Sequence, residues 1–230
     1  MRQMTDTTDL AALDGLLKSR HSCRAFTDTP VPDDVIETLV ATAGRAPSWC
    51  NSQPWQVIVT RPAETEALRA KLLANPTSTE GGHPDMAFPT GYTGQHRDRR
   101  RTCGWQLYDA VGVTKGDREG SARQAMENFR FFGAPHTAIL TSGTELGPYG
   151  AMDCGGFILA FCLAAEALGL GCVPQAAIAA HAPLLRDHFD IPEDRMILCA
   201  LSFGYEDRDH PANAFRTERA PLSEILDMRG

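Results

Sequence analysis

One long apolar stretch limits the folds that this chain can adopt. Residues 154–165 carry no charged side chain and lie between Asp153 and Glu166. The stretch is shorter than the ~18 residues that a membrane-spanning helix needs, so it predicts a helix over residues 152–168 that is buried in a folded core. Gly169-Leu170-Gly171 fits the end of that helix, because glycine is common just beyond a helix C-terminus.

Helices and strands are predicted along the rest of the chain from the spacing of apolar residues. The strands are few and far apart in sequence, which predicts an α+β sandwich with helices covering a central sheet. No change of composition separates a second domain, so residues 1–230 are expected to form one. The predicted helices cover residues 9–17, 33–46, 63–73, 105–113, 118–129 and 183–189, and the predicted strands cover 55–60, 137–141 and 196–204.

The charge balance argues against a nucleic-acid partner. The chain has 22 Lys and Arg against 29 Asp and Glu, a net charge of −7, whereas nucleic-acid-binding proteins present basic surfaces to phosphates. A basic run at 96–101 is the local exception, and such runs are usually solvated segments or anion contacts. No apolar signal-peptide core follows the N-terminus, so we expect a cytoplasmic protein without a membrane segment.

The cysteines and histidines give no sign of a disulfide framework or a metal site. The seven cysteines include no C-x-x-C pair, and the seven histidines include no H-E-x-x-H pair. Reduced thiols and no bound metal are therefore expected. P-loop and serine-hydrolase motifs are also absent, and the segment after Gly169 lacks the glycines of a dinucleotide fingerprint.

Two short polar segments have the chemistry of a binding site. Arg20-His21-Ser22-Cys23-Arg24 concentrates two guanidinium groups, a hydroxyl and an imidazole, which suits a phosphate or another anion; a solvated basic turn is the alternative. Residues 46–55 form a loop stiffened by two prolines, with amide and hydroxyl groups that can bond the edge of a planar heterocycle. The alternative there is a rigid turn in which Trp49 and Trp55 are core anchors.

Two other segments are predicted to lie outside the core. Residues 75–95 are rich in Pro, Gly, Ser and Thr, and so long a connection is more often a functional lid than a spacer; we expect the lid to extend over about 75–116. The tail from residue 205 is polar and has a short apolar end at Leu222, Ile225 and Leu226. We expect this tail to wrap around the rest of the protein.

In their order along the chain, these segments resemble the FMN-dependent nitroreductase family. The resemblance spans nearly the whole chain, and its middle part is similar to the nitrobenzoate-reductase-like branch. The family motifs are RHSCRAF at 20–26 followed by Val31-Pro32, RAPS through NSQPW at 45–55, ALGLG at 167–171 with Pro174, and RAPL at 219–222. The branch motifs are GWQLYDAVGV at 104–113 and NFRFFGAP at 128–135.

The resemblance implies a domain-entwined homodimer whose central sheet is mostly antiparallel. It also implies two bound FMN molecules at the dimer interface and a ping-pong cycle, in which NADH or NADPH reduces the flavin and the flavin reduces a small nitroaromatic or quinone-like acceptor. The flavin carries the chemistry, so no catalytic side chain is implied. The alternatives are a reductive dehalogenase or flavin-consuming enzyme of the same fold, and a non-catalytic flavin-binding protein.

The resemblance also assigns residues to the phosphate end of FMN. By motif position, Arg20, Ser22 and Arg219 would hold the phosphate, with a contribution from His21. Arg24 would approach the pyrimidine edge of the flavin, which carries negative charge when reduced. A fixed cation there stabilises that charge without reorganisation.

The rest of the flavin site would come from two places. The partner subunit would contribute Pro47, Ser48, Trp49 and Asn51. The residues along the flavin near N5 would be Pro174, Gln175, Ala176 and Ala177. The last two stand where other family members have Glu-Gly, so a backbone N–H can still serve N5 but a carboxylate cannot.

The acceptor site is expected on residues 96–108. Arg97 and Arg99 would attract a carboxylate-bearing aromatic acceptor, and Trp105 and Tyr108 would contact its ring. This assignment depends on the basic run, whose alternative is a solvated surface.

Overall fold

The computed structural model describes residues 7–75 and 82–230 and has a four-stranded antiparallel sheet at its centre. Its strands are β1 Gln56–Val59, β2 His136–Gly143, β3 Gly171–Gln175 and β4 Arg195–Gly204. They lie in the order β1-β2-β4-β3, so β1 and β3 are the edges. Val173 of β3 lies opposite Ser202 of β4. The predicted antiparallel sheet is confirmed.

Helices cover both faces of the sheet, as the sequence predicts. The helices are α1 Thr7–Ser19, α2 Asp33–Ala43, α3 Pro62–Ala74, α4 Gly94–Ala110, α5 Arg118–Met126, α6 Gly147–Ala167 and α7 Ala182–Phe189. Alternate strand residues point to opposite faces. Leu140 of β2 packs in the cluster around Phe157 and Phe161 of α6, whereas its neighbour Ile139 packs in the cluster around Leu68 of α3.

The apolar helix α6 begins at Gly147, five residues before its predicted start. Pro148 lies in the first turn, where a missing N–H costs no helical hydrogen bond. In the described ranges, α6 is the one helix long and apolar enough to cross a membrane by length and composition. Phe157 and Phe161 are fully buried against the sheet, which is the packing of a core helix.

The predicted secondary structure of residues 94–133 was wrong in two places. α4 begins at Gly94 and not at residue 105; its first half is a run of arginines, which are good helix formers but give no apolar periodicity. The helix predicted over 118–129 ends at Met126, and a 3₁₀ turn follows in which Phe131 and Phe132 have positive φ values of 55° and 53°. Of the predicted lid, residues 76–81 lie outside the described residues.

The strand β3 was not predicted, because it is short and contains Pro174. Proline cannot donate a ladder hydrogen bond, but an edge strand tolerates it. β3 is accompanied by the segment after α1: Ser22 forms a parallel bridge with Cys172, and the Cys23 N–H donates to the Cys172 carbonyl at 3.1 Å. The basic segment is therefore attached to the β3 edge of the sheet.

Candidate functional site

A cavity of about 340 Å³ lies between the basic segment, the C-terminal tail and α4. It brings Arg20, His21, Ser22 and Arg24 together with Arg219, which is almost two hundred residues away in sequence. The other lining residues are Leu17, Lys18, Cys103, Phe215, Arg216 and Thr217. The four residues that the resemblance assigns to the phosphate end thus line one space, together with Arg24, which it assigns to the pyrimidine edge of the flavin.

The wall of this cavity is strongly cationic. Five of its side chains are Lys or Arg, and within the described residues none of the lining side chains is a carboxylate. Arginine presents a planar fork to phosphate oxygens, and a hydroxyl such as that of Ser22 adds a neutral donor. The cavity therefore has the donor set that a phosphate dianion requires.

Arg24 is half-buried and held in place from several sides. Its Nη1 donates to the Ser22 carbonyl at 3.1 Å, and its Cζ lies 5.9 Å from the centre of the Phe215 ring. Burial lowers the pKa of the Arg24 guanidinium from its ordinary value, but an arginine remains charged in proteins. The result is a fixed positive charge at the cavity wall.

The tail is fastened to the basic segment by Asn213. This buried side chain accepts a hydrogen bond from the Arg24 N–H at 2.7 Å and donates to the carbonyls of Ala25 and Asp207 at 2.9 and 2.8 Å. The Arg216 Nη1 donates to the Asn213 carbonyl at 2.7 Å. These bonds place the tail arginines beside Arg24.

Sequence reasoning missed the six other lining residues, among them the polar Lys18, Cys103, Arg216 and Thr217. Lys18 lies two residues before Arg20 and Arg216 three before Arg219, so a count of cations near each motif would have found both. Cys103 has no such signal, because it reaches the cavity from α4.

His21 connects the cavity to the start of the tail. Its Nε2–H donates to the Glu206 Oε1 at 2.9 Å, and Nδ1 lies 3.4 Å from the Ser19 carbonyl. Both side chains of the His21–Glu206 pair are largely buried. The imidazole is therefore oriented by the tail, and it reaches the cavity as part of a fixed pair.

The end of β3 offers backbone and small side chains. Pro174 and Ala176 are exposed, and a 3₁₀ turn begins at Ala176 with Ala177 half-buried. The Gln175 side chain is buried: its Nε2 donates to the Asn128 carbonyl at 2.8 Å, and the Ser202 hydroxyl donates to its Oε1. Gln175 can therefore contact a ligand only through its backbone.

The loop that contains Pro47, Ser48, Trp49 and Asn51 lies on the first half of α6. The Trp49 N–H donates to Asp153 at 3.1 Å, and its ring lies 4.3 Å from that of Tyr149. The backbone of Cys50, Asn51 and Gln53 has positive φ values of 51°, 57° and 47°. Residues other than glycine rarely adopt this conformation.

The two tryptophans of this loop differ in their surroundings. Trp49 is 58% exposed, so its reading as a core anchor was wrong. Trp55 is half-buried and stacks on Phe157 at 5.5 Å, as a core anchor does.

The four residues of the predicted acceptor site lie on α4 but do not face one space. Arg97 is exposed beside Asp98, whereas Arg99 forms an ion pair with Glu224 of the tail. Trp105 contacts Tyr108 edge to face at 5.6 Å. Trp105 lines a cavity of about 840 Å³ whose basic residues are Arg101 and Lys115.

The chain is similar to known proteins along most of its length. The family model described as the nitroreductase family matches residues 17–205. Nitroreductase NfnB of Mycolicibacterium smegmatis (strain ATCC 700084 / mc(2)155) is 34% identical over 220 residues, which is 95% of this chain and 93% of that protein. A 4-nitrobenzoate reductase of Pseudomonas putida is 32% identical, and the match covers 94% of this chain and 95% of that protein.

Solved structures agree with these sequence matches. The crystal structure of the FMN-dependent nitroreductase NfnB from Mycobacterium smegmatis in complex with NADPH has a TM-score of 0.90 and 31% identity. The match covers 98% of this chain and all of that one. With a family model that matches most of its length and relatives above 30% identity along nearly all of it, the chain belongs to the nitroreductase family.

Proposed function

We propose that the protein is an FMN-dependent oxidoreductase that uses NADPH or NADH to reduce nitroaromatic or quinone-like acceptors. The observation that carries this proposal is the convergence of five cationic side chains on one cavity beside the β3 edge. The names of the relatives support the same activity, since one is an FMN-dependent nitroreductase that binds NADPH and another reduces 4-nitrobenzoate.

The residues present fit the phosphate end of FMN. Arg20, Ser22 and Arg219 would hold the phosphate, and Lys18 and Arg216 add positive charge to the same wall. When bound, FMN supplies two-electron hydride chemistry that no protein side chain offers.

The protein's own part in the reaction would be to orient the flavin ring, to stabilise the negative charge of its reduced form and to leave one face of the ring open to the acceptor. Arg24, held by the Ser22 carbonyl and Asn213, is a cation that needs no reorganisation when negative charge develops near it. Ala176 and Ala177 follow β3 and have only methyl side chains, so they would leave room for a planar ring. Their backbone N–H groups would be the hydrogen-bond donors to the flavin N5. The Gln175 bonds to Asn128 and Ser202 fix the strand end that positions them.

A homodimer is the second part of the proposal, and exposed apolar faces support it. Tyr149, Met152 and Leu159 of α6 are 53%, 66% and 48% exposed. A Cβ at Gly155 on the same helix would meet no atom within 4 Å, so α6 presents an open face. An apolar surface of this kind commonly marks an interface. Further exposed apolar residues are Leu10, Leu13 and Leu17 on α1 and Leu222, Ile225, Leu226 and Met228 on the tail.

In such a dimer, the loop with Pro47, Ser48, Trp49 and Asn51 would complete the partner's flavin site. The loop lies on the same end of α6 as the exposed Tyr149. The seven cysteines are free thiols, which suits a reducing compartment, and we propose that the protein is cytoplasmic.

The test of the proposed function uses the purified full chain. We expect a bound flavin spectrum and rapid oxidation of NADPH or NADH when 4-nitrobenzoate or a quinone is added. Tight FMN binding without turnover on any acceptor would instead indicate a flavin-binding protein. A colourless protein that takes up no added FMN would contradict the cofactor assignment.

A further inference from the structure

Two buried thiols face each other at the junction of α6 and β3, and the proposed reaction uses neither. The Sγ atoms of Cys162 on α6 and Cys172 on β3 lie 3.9 Å apart. Their exposed fractions are 9% and 5%. Because the backbone on both sides belongs to regular elements, the structure holds the two sulfur atoms together without any ligand.

We propose that Cys162 and Cys172 form an oxidation site, at which a hydroperoxide converts the two thiols into an intramolecular disulfide. A disulfide has an S–S bond of ~2.05 Å, so the sulfur atoms must approach by about 2 Å. They are already in contact, with no side chain between them that has to leave.

The surroundings distinguish Cys162 from the other buried cysteines. A hydrogen bond with the Cys172 thiol lowers the pKa of Cys162, and the Arg20 guanidinium acts in the same direction against the effect of burial. Burial raises the pKa of Cys23 and of Cys199 to about 12, and that of Cys154 to about 11. The thiolate is the reactive form, and Cys162 is also the more exposed of the two thiols, at 9% against 5%. We therefore assign Cys162 as the nucleophile and Cys172, whose pKa is raised, as the resolving thiol.

The reaction balances in two steps. The Cys162 thiolate attacks one oxygen of hydrogen peroxide, the O–O bond breaks, and the departing hydroxide takes a proton to give water and a sulfenic acid. The Cys172 sulfur then attacks the Cys162 sulfur, the S–O bond breaks, and the hydroxide that leaves takes the Cys172 proton. Two sulfur atoms have lost two electrons, the peroxide has gained them, and two waters are released.

Cleavage after glutamate tests the assignment, because Glu166 lies between the two cysteines. The reduced full-length protein is treated with hydrogen peroxide, its remaining thiols are alkylated in denaturant, and peptides 146–166 and 167–193 are examined by mass spectrometry. We expect the two peptides to remain linked, with the loss of two hydrogen atoms, and to separate on reduction. Full alkylation of both cysteines after peroxide treatment would overturn the proposal.

Matched variants separate this pair from its neighbours. Cys162→Ser and Cys172→Ser should each abolish the link between the peptides, whereas the equally buried Cys154→Ser and Cys199→Ser should keep it. Cys154 is the important control because it shares peptide 146–166 with Cys162. A link that persists in Cys162→Ser, or one that joins Cys172 to Cys23, would refute the assignment, and the wild-type result stands even if a variant fails to fold.

Discussion

Arg20 and Arg219 reach the same cavity from opposite ends of the sequence. We expect the double variant Arg20→Ala, Arg219→Ala to lose FMN, because a charge-assisted hydrogen bond contributes ~1.5–3 kcal/mol and each 1.4 kcal/mol is about tenfold in affinity. The predicted loss is at least about a hundredfold for the pair, if each residue makes one such bond. Fluorescence titration with FMN measures it.

Arg61→Ala is the control for the arginine variants. Arg61 is exposed and pairs with Asp33 away from the cavity, so its removal should leave FMN affinity unchanged. Equal flavin content in the double variant and the wild type would contradict the phosphate role of Arg20 and Arg219.

We expect His136 to make the stability of the protein depend on pH. Its Nε2 accepts the Val31 N–H at 2.9 Å, and its Nδ1–H donates to the Thr60 carbonyl at 2.9 Å. Burial lowers the pKa of His136, against the opposing effect of the Thr60 bond. Protonation would therefore remove an acceptor from a buried N–H, at a cost of ~1–3 kcal/mol.

The sign of this pH dependence follows from the lowered pKa. The unfolded chain takes up the proton at the ordinary pKa of ~6.5, before the folded protein does, so acid favours unfolding. The contribution of neutral His136 is complete above pH ~6.5 and is lost as the pH falls below it. His181, whose pKa burial also lowers, acts in the same direction.

Urea unfolding between pH 7.5 and pH 5 measures this effect. The wild type should lose stability over that range, and His136→Gln should lose less of it. His96→Gln, at an exposed position of α4, should follow the wild type. If the free energy of unfolding falls with pH equally steeply in His136→Gln and in the wild type, His136 is not the source of the pH dependence.

At the scale of elements, an ion pair joins α4 to the tail and occupies an arginine that is predicted to attract the acceptor. Arg99 is occupied by Glu224, so Glu224→Gln should free it for an anionic acceptor. We expect Glu224→Gln to lower the KM for 4-nitrobenzoate and Arg99→Ala to raise it, each by roughly two- to fivefold, since exposed pairs contribute up to ~1 kcal/mol. Steady-state kinetics with a neutral nitroarene, whose KM should not change, provides the comparison.

Arg97 on the same helix tests the rest of the basic run. It is exposed beside Asp98, and the sequence assigns it the same role as Arg99. If Arg97→Ala also raises the KM for 4-nitrobenzoate alone, the whole basic run attracts the acceptor. Identical changes for charged and neutral acceptors would remove Arg97 and Arg99 from acceptor selection.

The elements differ in how much of them the sequence could predict. α6 and β4 were predicted because their buried residues give a clear apolar pattern. α4 has no buried residue, so its arginine-rich first half could not be predicted from periodicity, and only its second half was included in the helix predicted over 105–113. Local composition marked the segment of Arg20 and Ser22 as a candidate anion site, and the family resemblance assigned the two residues to the FMN phosphate. Asn213, by contrast, acts through the path of the tail, which no local pattern records.

At the scale of the whole molecule, the exposed face of α6 predicts the oligomeric state. We expect a dimer in sedimentation experiments, and we expect Leu159→Glu to shift it to monomer, because two such charges would be buried without partners at the interface. If the partner subunit completes the flavin site, the monomer should also retain less FMN.

Met86→Glu is the control for that change. Met86 is 46% exposed and lies outside α6. Its substitution should therefore leave the protein a dimer in sedimentation experiments and its flavin content unchanged. A Leu159→Glu variant that still sediments as the wild type would show that α6 is not the interface.

The tail bonds of Asn213 have a consequence for how the protein is made. All four strands end at or before residue 204, so the sheet uses no residue of the tail that follows it. The cationic cavity wall, by contrast, needs Arg216 and Arg219 beside Arg24. A chain whose synthesis stops between residues 204 and 216 would therefore contain every strand of the sheet and lack two arginines of the cavity wall.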